Sequence, residues 1–177
     1  MREGEGKGIS IVTADITTLD VDAIVNAANS RLIPGGGVDG AINKAAGPEL
    51  AQAMMAIGRC GTGEAVITPG FKLLAARVIH TVAPVFAQHS EPDVWRLLGN
   101  CYRNSLALAS QHGAWSIAFP SLGTGVYGIP VAGACKVAVA AALDHLKRGD
   151  VPAEIVFCCF SDGDAAHYRA ALKDALP

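Results

Sequence analysis

Neither glycine-rich loop of this chain carries a lysine, so the G-x-x-x-x-G-K-[ST] cradle for nucleoside triphosphates is excluded. There is no C-x-x-C pair. The five cysteines (Cys60, Cys101, Cys135, Cys158, Cys159) are odd in number and sit in apolar segments. That excludes a disulfide framework, argues against a metal site, and reads as buried free thiols in a reducing compartment. The polar opening, Met1 to Gly8, has no apolar core of a signal peptide, and the segment is expected to be flexible. The longest apolar run, Val137 to Leu143, is too short to span a bilayer. Charge is scarce, at 17% of residues, and the net value is -2. Broad nucleic-acid or anionic-membrane binding needs clustered Lys and Arg, so neither partner is expected. A soluble cytoplasmic protein is the expectation.

What is present is a 51% hydrophobic chain of 177 residues, enough for one domain with a sizeable core. Apolar runs at Ile9–Thr13, Ala23–Asn26, Ala65–Thr68, Arg77–Val82, Trp115–Pro120 and Glu154–Phe160 read as strands. Several lack polar alternation, which fits strands covered on both faces. Helical patterns fall between them, at 38–46, 48–57, 92–111, 131–147 and 164–176. The order predicts a three-layer α/β/α sandwich on a six-stranded, mostly parallel sheet. A Pro-Gly turn between the third and fourth strands predicts one antiparallel pair, so the sheet is mixed. Ligands of such sheets bind beyond the strand C-terminal ends.

Two loops follow strands and point there. The first runs from Asn26 through Asn29 to Gly35-Gly36-Gly37-Val38-Asp39-Gly40. Adjacent glycines let backbone N–H groups approach an anion, and a helix start follows. Asn29 and Asp39 place an amide and a carboxylate beside it. Taken singly, Asp39 is a first-turn acid kept ionised by the helix dipole, and Asn29 is a turn residue. Asn26 is either another turn residue or a tie for the loop. The second loop, Ser121-Leu122-Gly123-Thr124-Gly125-Val126-Tyr127-Gly128, contains a literal G-x-G-x-x-G. A dinucleotide fingerprint needs an acid at the next strand's end. Here the next acid is Asp144, inside a predicted helix, so a phosphate-wrapping loop fits better. Asp15 reads as a cap for Ile16-Thr17-Thr18, Phe160 as strand-end core, and His80 as a hydrogen-bonded core histidine.

Together these residues resemble the macrodomain family, and within it the MacroD-type branch. The likeness rests on Ala14-Asp15-Ile16-Thr17, on Ala23 through Asn29, and on Gly35 through Ile42 with Ala45-Ala46-Gly47. It rests also on Val78 through Pro84 and on Gly123 through Pro130. The resemblance implies an ADP-ribose pocket that uses no cofactor or metal. Asp15 would accept from the adenine amino group beside the Ile16 N–H, and Phe160 would stack on the base. Ser121, Gly123, Thr124, Gly125, Val126 and Tyr127 would hold the diphosphate. Gly35, Gly36, Gly37 and Val38, with Asn26, would lie by the distal ribose. Asn29 and Asp39 would be catalytic, ordering the attacking water. Three positions depart from the branch: Asn43 stands where it usually has histidine, and Pro34 and Ala14 replace glycines.

The branch removes ADP-ribose from Asp and Glu side chains of mono-ADP-ribosylated proteins and deacetylates O-acetyl-ADP-ribose. Ester chemistry suits such a pocket. A carboxylate, whose acid has a pKa near ~4, leaves without much protonation, whereas an N-linked guanidine would want a general acid. The same water reaches either the anomeric or the acyl carbon. The rival reading is a module that binds ADP-ribose without turnover. A phosphatase for ADP-ribose 1″-phosphate shares the pocket. A dehydrogenase and a ribonuclease regulator have the least support in the sequence.

Overall fold

The computed structural model describes residues 8–177. The segment expected to be flexible lies outside these except for Gly8, which opens the first strand. The strands are β1 (Gly8–Thr13), β2 (Ala23–Ala27), β3 (Ala65–Pro69), β4 (Arg77–Thr81), β5 (Ser116–Phe119) and β6 (Glu154–Cys159). They form one sheet in the order β1-β6-β5-β2-β4-β3. All neighbours run parallel except β3 and β4, which pair antiparallel as the Pro69-Gly70 turn predicts. The helices are α1 (Gly37–Ala46), α2 (Pro48–Ile57), α3 (Glu91–Gln111), α4 (Val131–Arg148) and α5 (Asp162–Ala175).

Strand side chains alternate between two apolar cores, as a doubly covered sheet requires. Ile24, Val78, Ala118 and Cys158 face α1 and α2, packing with Ile42, Leu50 and Met54. Val25, Ile79, Ile117, Phe119, Ile155 and Phe157 face the other three helices, packing with Leu98, Tyr102, Ala138 and Tyr168. Tyr102 to Phe119 and Phe157 to Tyr168 have ring centroids 5.0 Å apart, so this side is held by an aromatic cluster. All five cysteines are buried and free. The sequence reading of the fold holds: a three-layer sandwich on a mixed, mostly parallel sheet.

Local chemistry sets the helix ends. Gly113 and Gly149 take left-handed φ values of 68° and 75° just past α3 and α4. α5 begins two residues before its expected start, because Ser161 caps it by accepting from the Asp164 N–H. No described helix is long and apolar enough to cross a membrane.

Candidate active site

The sheet order places four segments side by side at the strand C-terminal ends. Asp15 follows β1, Phe160 follows β6, the Ser121–Gly128 loop follows β5, and Asn29 with the triple glycine follows β2. Strands about 4.8 Å apart spread these over roughly 14 Å. The two loops line one cleft of about 400 Å³, with Asn29, Gly35, Gly36, Gly37, Val38 and Asp39 on one wall. Ser121, Gly123, Gly125, Val126 and Tyr127 form the other. Ala83 and Pro120, not singled out in the sequence, complete the lining together with Ala27 and Ala28.

On the first wall Asn29 is a loop tie as well as a lining residue. Its Nδ2 donates to the Ile33 carbonyl at 2.6 Å, and its Oδ1 accepts from the N–H groups of Arg31 and Ile33. Gly36 caps α1, whose first-turn N–H groups have no intrahelical acceptor and open beside the cleft. Gly40 allows the close turn: a Cβ there would stand 2.8 Å from the Gly35 carbonyl oxygen.

Asp39 is the third residue of α1 and only 3% exposed. Its Oδ1 accepts from Asn26 Nδ2 and from Asn43 Nδ2, both at 2.9 Å, and its Oδ2 accepts from the Gly35 N–H at 3.1 Å. Every one of these partners is a donor. Burial nonetheless pushes the Asp39 carboxyl above the ordinary aspartate value, outweighing the bonds from Asn26, Gly35 and Asn43. The helix dipole favours ionisation at this first-turn position, and the depth at which the group is set, which sequence does not show, acts in the opposite direction. The result is a carboxylate more basic than an exposed one, oriented by three donors at the cleft wall.

Asn26 is a tie for the loop, set behind the ribose-side position that the resemblance implies. It is fully buried and does not line the cleft. Its amide goes to Asp39 and to His80 Nδ1, so it holds the carboxylate and is shut off from a ligand. Asn43 was visible in sequence only as a departure from a family pattern. It is a second brace, four residues on along the same helix face.

On the second wall Gly123 adopts φ 77°, and a Cβ there would collide with Ile129. The N–H groups of Gly125 and Val126 have no hydrogen-bond partner among the described residues. The Val126 side chain is fully exposed at the mouth. Thr124 does not line the cleft; its hydroxyl donates to the Ser121 carbonyl and hydroxyl oxygens and braces the loop. Ser121 is anchored in turn by the hydroxyl of buried Tyr168 at 3.2 Å.

Asp15, Ile16 and Phe160 lie beyond this cleft, on the β1–β6 side. Asp15 Oδ1 accepts from the Thr17 hydroxyl and N–H, and these bonds hold its carboxyl below the ordinary value. Its Oδ2 has no hydrogen-bond partner among the described residues. Ile16 is buried. Phe160 is 97% exposed, which rules out the core role that a strand-end phenylalanine suggests.

The Macro domain family profile matches residues 25–138, which include both walls of the cleft. The chain belongs to the macrodomain family. This macrodomain is 56% identical over 162 residues to a Macro domain-containing protein of Ralstonia nicotianae, with 92% of each chain covered. It is 48% identical over 170 residues to the O-acetyl-ADP-ribose deacetylase of Salmonella typhimurium, with 93% of each covered. Among solved structures it superposes on the Oceanobacillus iheyensis macrodomain with ADP at a TM-score of 0.88 and 43% identity. That match covers 93% of this chain and 89% of the other.

Proposed function

We propose that this chain acts through a single macrodomain that binds ADP-ribose and hydrolyses its esters, O-acetyl-ADP-ribose and ADP-ribose linked to Asp or Glu of proteins. The observation that carries the reading is Asp39. It is a buried carboxylate with a raised pKa, fixed by three donors at one end of a cleft whose other wall offers free N–H groups. The left-to-right order of the segments matches the ligand. Exposed Phe160 and the free Asp15 oxygen receive adenine, the Gly123–Tyr127 loop the diphosphate, and the triple glycine with Asn29 the distal ribose. The Salmonella relative is named for deacetylating O-acetyl-ADP-ribose, and the Oceanobacillus relative was solved with ADP, which spans the first two of those three parts.

Asp39 orients a water and accepts its proton as the water attacks the ester. At the anomeric carbon of an ADP-ribosyl ester the leaving carboxylate needs little protonation, and at the acyl carbon of O-acetyl-ADP-ribose the departing ribose oxygen takes up the proton that Asp39 has accepted, so no second acid is required. The first-turn N–H groups of α1 stabilise negative charge that develops beside them. A pure reader would have no use for a buried, braced carboxylate at the ribose end. The test is acetate release from O-acetyl-ADP-ribose. Wild type turns over, and Asp39→Ala loses turnover while still binding ADP. Binding without release by wild type would leave only the reader.

A further inference from the structure

Four buried side chains form an unbroken file that ends on Asp39. Thr68 on β3 meets His80 on β4, with Oγ1 and Nε2 2.9 Å apart. His80 Nδ1 lies 3.1 Å from Asn26 Nδ2 on β2, and the same Nδ2 donates to Asp39 Oδ1 at 2.9 Å. Asn26 and His80 are register partners of the parallel β2–β4 pair. Both are completely buried, and Thr68 and Asp39 are 3% exposed. None of the first three lines the cleft.

Donor and acceptor chemistry fixes the protons on Asn26 and His80. A carboxylate only accepts, so the Asn26 NH2 faces Asp39. The other hydrogen of that NH2 points at His80, so Nδ1 must present its lone pair. The ring is then neutral with its proton on Nε2, and that proton goes to the Thr68 oxygen. Burial pushes the His80 pKa down to about 4, which keeps the ring in this neutral form at ordinary pH.

We propose that His80 is a positioning residue for the hydrolysis: acting through Asn26, and with its tautomer set by Thr68, it locks the face that Asn26 presents to Asp39. With the opposite tautomer, Nδ1–H would oppose the Asn26 NH2. The amide would turn its carbonyl toward the Asp39 carboxylate, and the brace would become a repulsion. The fixed amide leaves Asn26 Oδ1 as a buried acceptor without a protein partner, which is the cost of this orientation. The inference rests on the hydrolase reading for its kinetic consequence, though not for the hydrogen-bond file itself.

Two substitutions of similar shape separate the two ring nitrogens. His80→Asn keeps an acceptor near the Nδ1 position, and His80→Gln keeps a polar group near Nε2 while setting a methylene against Asn26. With O-acetyl-ADP-ribose, kcat of His80→Asn is expected within about threefold of wild type. That of His80→Gln should fall about tenfold to a hundredfold, with KM and ADP affinity little changed in both, as for a misplaced catalytic group. Equal losses in both variants, or full kcat in His80→Gln, would overturn the proposal. Nitrogen-15 NMR of the wild-type imidazoles is the arm that needs neither turnover nor a folded variant. A neutral His80 protonated on Nε2 is required, and a proton on Nδ1 would refute the file. Should wild type show no turnover, the hydrolase reading fails and the NMR result alone decides the file.

Discussion

Asn29 and Asp39 both border Gly35. A methyl group on Gly35 would lie 3.5 Å from Asp39 Oδ2 and 3.7 Å from Asn29 Nδ2. Those are ordinary contact distances, and Gly35 is not in the left-handed region, so the fold accepts the methyl. The space it fills adjoins both the amide and the carboxylate. Gly35→Ala is therefore expected to keep its Tm and its affinity for ADP, which lacks the distal ribose. Its kcat should fall by about 10²-fold, as for a water displaced by an ångström. Steady-state kinetics beside calorimetry with ADP checks this.

The acid limb of the rate profile should report Asp39. Because burial raises its pKa, activity falls on acidification at a higher pH than an exposed aspartate would give. The Asn43 amide favours the charged form, so Asn43→Ala removes a bond that lowers the pKa. The limb should then move to higher pH, while the plateau rate changes less than in Asp39→Ala. A kcat profile of both proteins measures the displacement.

His80 makes the fold sensitive to acid. Its folded pKa of about 4 lies below the ordinary value near 6.5, so between those values the unfolded chain binds a proton that the folded chain refuses. Stability is full above about pH 6.5 and is lost as pH falls toward 4, by up to ~3 kcal/mol over the window. Denaturant titrations across it should show a smaller acid loss in His80→Asn than in wild type.

Phe160 offers a surface that folding does not use. Being 97% exposed, it can be cut back without touching the core, and Phe160→Ala should leave Tm unchanged. Loss of stacking on adenine is worth about 1–3 kcal/mol by alanine substitution, so ADP-ribose affinity should drop several-fold to a hundredfold. At saturating substrate kcat should hold. Asp15→Ala should follow the same pattern, through the oxygen that Thr17 leaves free.

The layering was legible in the sequence because apolar runs without polar alternation mark strands covered on both faces, and Gly113 and Gly149 mark where helices stop. The antiparallel pair was legible in Pro69-Gly70. The inner side of the site was not. Asn26 reads by itself as a turn residue or a tie for the loop, and its link to His80 is hidden because that residue is 54 positions away and meets it only through parallel pairing. The Asp39 charge looked secure because the dipole follows from position, while burial follows from packing. Phe160 looked like core because hydrophobicity does not say which way the chain leaves β6. Asn43 was visible at i+4 from Asp39, and only the structure shows its amide turned onto the carboxylate.

The most direct test measures release of ADP-ribose from a glutamate-linked mono-ADP-ribosylated protein by wild type and by Asp39→Ala, with ADP affinity measured on both. Release by wild type, a loss of about 10²-fold or more in the variant, and equal affinities are expected of a positioned base. Equal release by the two proteins would contradict the role given to Asp39. Tight ADP binding with no release by either would contradict hydrolysis itself.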